Sequence, residues 1–231
     1  MHAETYLKTA QRYAHRPVKQ AVISSSALSL LYPPEGLSNY SRDAFIDDLT
    51  KEAERDIRDC LNAGAFCVQV DFTEGRLALK LDPSGALLNT FIELNNNVLE
   101  RISPGERQKI GVHTCPGGDH DSTHSADVDY MGLLPALFRL KVDRFYVQLA
   151  SEPDRRHVLN TIRTLLKPGQ MLFVGVTDPI NPKVEVRSKC ATEYSKRQSS
   201  SQLNRWEPRT IVGSLRSPTT HRLHAKPLSP R

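Results

Sequence analysis

The chain has 231 residues, of which 39% are apolar, 6% aromatic and 25% charged, with a formal net charge of +5. That is the size of one large domain or of one (β/α)8 barrel without insertions, and the apolar share supports a sizeable core. No apolar run is long enough for a membrane-spanning helix. The first residues (His2, Glu4, Lys8) lack the apolar core of a secretory signal, and the irregularly spaced Cys60, Cys67, Cys115 and Cys190 make no disulfide framework, so a reducing cytoplasmic setting is expected.

The positive balance is confined to one end. Residues 187–231 hold ten Lys and Arg against Glu193 and Glu207, a net of +8, whereas residues 1–186 hold 21 bases against 24 acids, a net of −3. Overall charge therefore gives no reason to expect nucleic-acid binding by the body of the chain.

From the N-terminus to residue 186, short β-rich runs alternate with amphipathic stretches. Strands are predicted at Lys19–Ser24, Phe66–Asp71, Lys109–His113, Arg144–Leu149 and Met171–Val176, each rich enough in Val, Ile, Phe or Tyr to be covered on both faces. Phe45, Leu49, Ile57 and Leu61 recur at helical spacing between a Ser41 cap and Gly64. Leu88, Phe91, Val98, Leu99 and Ile102 do so before Pro104-Gly105. Val158, Ile162 and Leu165 do so after Pro153, placed in the first turn, and before Lys167-Pro168-Gly169. Strands 27 to 47 residues apart with helices between them predict right-handed βαβ units and a parallel sheet, either doubly wound or an incomplete barrel. No Gly-x-Gly-x-x-Gly follows a strand, which argues against dinucleotide binding. After Val186, Ser, Arg, Pro, Thr and His dominate without period, the signature of a disordered basic tail.

In parallel α/β folds the chemistry gathers at the carboxyl ends of the strands. One predicted strand ends in Asp71, the next in His113-Thr114-Cys115, and the fourth runs on to Glu152. His113 and Cys115, two residues apart on an extended segment, point to one side, and imidazole with thiolate suits zinc. The plainer alternative is a polar pair at a strand terminus, because structural zinc signatures normally show two such pairs. Asp71 equally suits a turn, and Glu152 the first turn of a helix. Asp119–His124 is rich in ligand-type residues at no recognisable spacing and reads as a solvated loop, and Asn95-Asn96-Asn97 as the polar face of its helix.

Arg16-Pro17-Val18-Lys19 leading into a strand and Ser24-Ser25-Ser26, Asn62-Ala63-Gly64 before a strand ending in Val70-Asp71, and above all Ile110-Gly111-Val112-His113-Thr114-Cys115 resemble cobalamin-independent methionine synthase. The likeness is to its catalytic barrel domain, in a shorter branch of the family, and covers about residues 10–186. It implies an incomplete TIM-type barrel over 1–186 and zinc-dependent methyl transfer from a methyl-tetrahydrofolate to homocysteine. It also implies His113 and Cys115 as zinc ligands and Asp71 as the holder of homocysteine's amino group. The family adds a glutamate ligand from the next strand end, for which Glu152 is the nearest candidate, although strict register falls nearer Leu149.

Two departures imply impaired catalysis. Larger members carry a proton-donating histidine after the next strand, where this chain has Ile180 in Asp178-Pro179-Ile180. The family's last cysteine ligand lies in a segment resembling Gly-Thr-Thr-Asp-Asp-Cys-Gly-Phe-Ser-Pro-Phe, which is absent here. Trp206 requires TGG and Glu207 GAR, so reading across their junction gives glycine, and the following junctions permit the rest of that segment, with its cysteine across Ile211–Val212. The expectation is that the chain from about residue 186 is the family's C-terminal region translated out of frame. Two other readings follow: a non-catalytic partial barrel, or a binder of anionic partners through residues 187–231.

Overall fold

A computed structural model describes residues 2–117, 124–178 and 211–214. All five predicted strands are present, as β1 (Lys19–Ile23), β2 (Cys67–Asp71), β3 (Ile110–Thr114), β4 (Arg144–Gln148) and β5 (Met171–Gly175). A sixth, β6 (Ile211–Ser214), lies inside the segment expected to be tail. Its four residues are too few to give a readable period among the surrounding Ser, Arg and Pro. The remainder of 187–231 lies outside the described residues.

Every strand pairs in parallel with its neighbour in sequence, in the order β1-β2-β3-β4-β5-β6. A doubly wound sheet reverses direction once, and this one never does, so the topology is that of an open, incomplete (β/α) barrel.

Eight helices are described: α1 (Ala3–Gln11), α2 (Ser25–Ser29), α3 (Arg42–Asn62), α4 (Glu74–Leu81), α5 (Ala86–Leu99), α6 (Pro104–Arg107), α7 (Tyr130–Leu137) and α8 (Arg155–Leu165). The expected Ser41 cap is made, its hydroxyl accepting from the Ala44 amide. Pro153 stands before the first turn of α8, because Asp154 takes the cap by accepting from the His157 amide. α5 ends at Leu99, so Ile102, expected to continue it, lies beyond its end, and Pro104 instead opens α6, where Ser103 and Glu106 form a reciprocal capping box.

The two faces of the sheet differ. Val22, Val68, Val70, Ile110, Val112, Phe145, Val147, Leu172 and Val174 point outward into one continuous core with helix residues such as Ile57, Ile92, Leu134 and Ile162. The inner face is not the apolar surface that coverage on both sides would require. Register places Cys67, Gln69 and Asp71 beside Gly111, His113, Arg144 and Tyr146. Gly111 is required there: a Cβ on it would lie 2.6 Å from the Tyr146 ring and 3.0 Å from Arg144 Cβ.

Candidate functional site

Residues 71 and 113 are direct register partners at the carboxyl ends of β2 and β3. His113 Nδ1 lies 3.3 Å from Asp71 Oδ1, with side-chain exposures of 22% and 38%. The contact is an ion-pair distance without hydrogen-bond alignment, and among the described residues the buried Nδ1 has no hydrogen-bond partner. Burial by itself lowers the imidazole's pKa. The Asp71 carboxylate and the Cys115 thiol, both interacting with the ring, outweigh it and raise the value to about 9. Cys115 follows β3 directly and is partly exposed. Asp71, His113 and Cys115 therefore converge on one spot.

Glu152 goes elsewhere. It lies before the α8 cap, and its Oε1 accepts from Arg76 Nη1 at 2.6 Å, with side-chain exposures of 2% for Arg76 and 8% for Glu152. Arg76 also donates to the carbonyls of Ala126 (3.3 Å) and Val128 and lies over the Tyr130 ring. That oxygen is taken by Arg76, and among the described residues no contact of Glu152 with His113 or Cys115 is seen. Among the described residues no group of three or more His, Cys, Asp or Glu side chains is arranged to hold a metal ion. The His113 imidazole and the adjacent Cys115 thiol are of the types that fit one edge of a zinc site, that is, two of its four ligands.

Of the ligand-rich loop, residues 118–123 lie outside the described residues, as does Ile180. His124 is described. Its amide donates to the Pro116 carbonyl at 3.2 Å, and its ring lies so close to Gly117 that a Cβ there would collide with it. Among the described residues its Nδ1, like that of His113, is buried without a hydrogen-bond partner.

Three groups of residues at this rim were given no site role from sequence. Ser24 and Ser26, past the end of β1, both donate to Glu74 Oε1, the first at 2.6 Å. Glu74 is 4% exposed, its Oε2 has no partner, and burial raises its pKa against the pull of the two hydroxyls. Asn95, expected on a polar helix face, is buried: it accepts from Ser25 Oγ at 2.8 Å and donates to Ser26 Oγ at 2.6 Å. Asn96 is half-buried against Arg139 and Lys141, and Asn97 alone of the three is exposed. Below Asp71, Gln69 donates to its Oδ1 at 2.6 Å, and Lys19 donates to Gln69. Burial lowers the pKa of Lys19, opposed by Cys67 and Asp71. The signal available was a glutamine within an otherwise apolar strand; the serine run entered only through the family resemblance, and the asparagine carries none.

No family model matches the chain, and no curated protein matches it in sequence. Its fold does match solved structures. A putative vitamin-B12-independent methionine synthase from Listeria monocytogenes superposes with a TM-score of 0.58 at 18% identity, over 86% of this chain and 56% of that one. A B12-independent methionine synthase from Shewanella sp. W3-18-1, in complex with selenomethionine, superposes with a TM-score of 0.63 at 16% identity, over 91% and 57%. The chain thus spans just over half the length of these structures, and the likeness establishes a shared barrel fold. No described helix is long and apolar enough to cross a membrane.

Proposed function

We propose that the chain is a methionine-synthase-type barrel unit whose chemistry is methyl transfer from a methyl-tetrahydrofolate to homocysteine, in a reducing cytosol. One observation carries this: Asp71, His113 and Cys115 meet at adjacent strand ends, with His113 Nδ1 buried and lacking a hydrogen-bond partner. The shared fold supports it.

His113 and Cys115 would hold zinc. When bound, zinc lowers the pKa of a homocysteine thiol so that it is thiolate near neutral pH. Asp71, a carboxylate beside them, would hold the amino group and so orient the sulfur. The sulfur takes the methyl group, the donor nitrogen keeps the bonding electron pair, and that nitrogen gains a proton. The larger family members assign that proton to a histidine, and Ile180 here cannot supply it. Turnover is therefore expected to be impaired.

The test is zinc content and homocysteine-dependent methyl transfer on the purified full chain. Zinc retained by the wild type and lost in His113→Ala and Cys115→Ser is the expected outcome, and any turnover disappears with it. Equal zinc in all three proteins would overturn the assignment. Zinc without turnover would favour the reading as a non-catalytic partial barrel. The proposed out-of-frame origin of the tail is decided by the gene: a one-base shift near codon 186 must restore the cysteine-bearing segment.

A further inference from the structure

Asp71 is held through one oxygen. Its Oδ1 accepts from Gln69 Nε2 at 2.6 Å and faces His113 Nδ1 at 3.3 Å, and among the described residues no hydrogen bond is made to Oδ2. Which end of the Gln69 amide meets the carboxylate is not left to chance. An ammonium donates and cannot accept, and Lys19 Nζ donates to Gln69 Oε1. The amide nitrogen is thereby turned toward Asp71. Without Lys19 the amide would be free to rotate and set its oxygen against the carboxylate, which repels it. Lys19 is itself fixed, its ammonium 3.9 Å from the centre of the Tyr146 ring. Gln69 is 6% exposed, so water competes little for either of its bonds.

We propose that Lys19 and Gln69 are positioning residues that lock the Asp71 carboxylate by Oδ1 and present Oδ2 to the ammonium group of an α-amino acid ligand. This rests on Asp71 being the residue that holds the amino group. The two side chains come from β1 and β2 and reach the site from beneath, along the inner face of the sheet, so neither touches the ligand. Their effect is on discrimination: they make the site prefer a ligand with an amino group over the same ligand without one.

Calorimetric titration of the full chain with L-methionine and with its des-amino analogue reads that preference as a ratio of Kd values. The wild type is expected to prefer L-methionine, and Asp71→Asn to abolish the preference. Gln69→Leu and Lys19→Met are each expected to reduce it about tenfold, the scale of one hydrogen bond to a charged group. Lys19→Arg, which also only donates, is expected to restore most of it. Full preference in both Gln69→Leu and Lys19→Met, with Asp71→Asn defective, would overturn the relay and leave the role of Asp71 standing. No preference in the wild type, or full preference in Asp71→Asn, would remove the role of Asp71 and the relay with it. Should Gln69→Leu fail to fold, Lys19→Met at its half-buried position decides the question alone.

Discussion

Two charged pairs stand at the carboxyl rim of the sheet, and they are built to opposite rules. Arg76 and Glu152 are sealed, with side-chain exposures of 2% and 8%; Arg76 gives Nη2 to two carbonyls and its flat face to Tyr130, and among the described residues only its Nε has no hydrogen-bond partner. Asp71 and His113 are open by comparison, misaligned for a hydrogen bond and joined by a thiol. The first pair is closed off from water and clamps the loops after β3 and β4 to the start of α4. The second meets only at ion-pair distance, with the Asp71 side chain partly exposed and, among the described residues, no hydrogen bond to its Oδ2. Closure, more than charge, separates a clamp from a site.

Breaking the clamp should have the largest effect. Arg76→Ala strands the Glu152 carboxylate in an apolar surrounding and should cost about 3–5 kcal/mol in urea unfolding; a loss under about 1 kcal/mol would mean that the pair is not the clamp described. A middle case is Glu74, a buried carboxylate with hydroxyl partners and, among the described residues, no ion-pair partner. Its pKa is raised by burial, so its contribution to stability is complete below the ordinary value of 4.5 and is lost as the pH rises through the higher folded-state value. Glu74→Gln should therefore flatten the decline in stability above pH 4.5, and an unchanged pH profile would contradict the burial seen here. The smallest effect is expected at the open pair. Asp71→Asn keeps the side chain's shape and, with 38% of that side chain exposed, should cost less unfolding free energy than Arg76→Ala. A larger loss would make Asp71 a second clamp.

The strands were legible because each carries a short apolar run, and α3, α5 and α8 because their apolar residues recur at helical spacing over several turns. The short α2 and α6 were hidden: five and four residues cannot display a period. α7 was hidden for the opposite reason, since Tyr130–Leu137 is apolar nearly all round and its sequence shows no amphipathic stripe. At the site, residue type and strand position were enough for Asp71, His113 and Cys115. They could not reveal that Glu152 is spent on Arg76, because that pairing crosses 76 residues and depends on how two loops fold back over the rim. The same holds for Gln69, whose importance comes from Lys19 fifty residues away.

The strictly sequential strand order has a consequence for how the molecule comes into being. A chain emerging from the ribosome can add each βα unit to an edge that already exists, so long-range searching is kept to the distance between one strand and the next. Asp71, His113 and Cys115 need only β2 and β3, and their neighbourhood can form before β4 has been synthesised. The Arg76–Glu152 clasp must wait for the loop after β4. Assembly thus runs from ligand-holding to locking: the groups that would take a metal are in place first, and the latch that stiffens the rim closes over them afterwards.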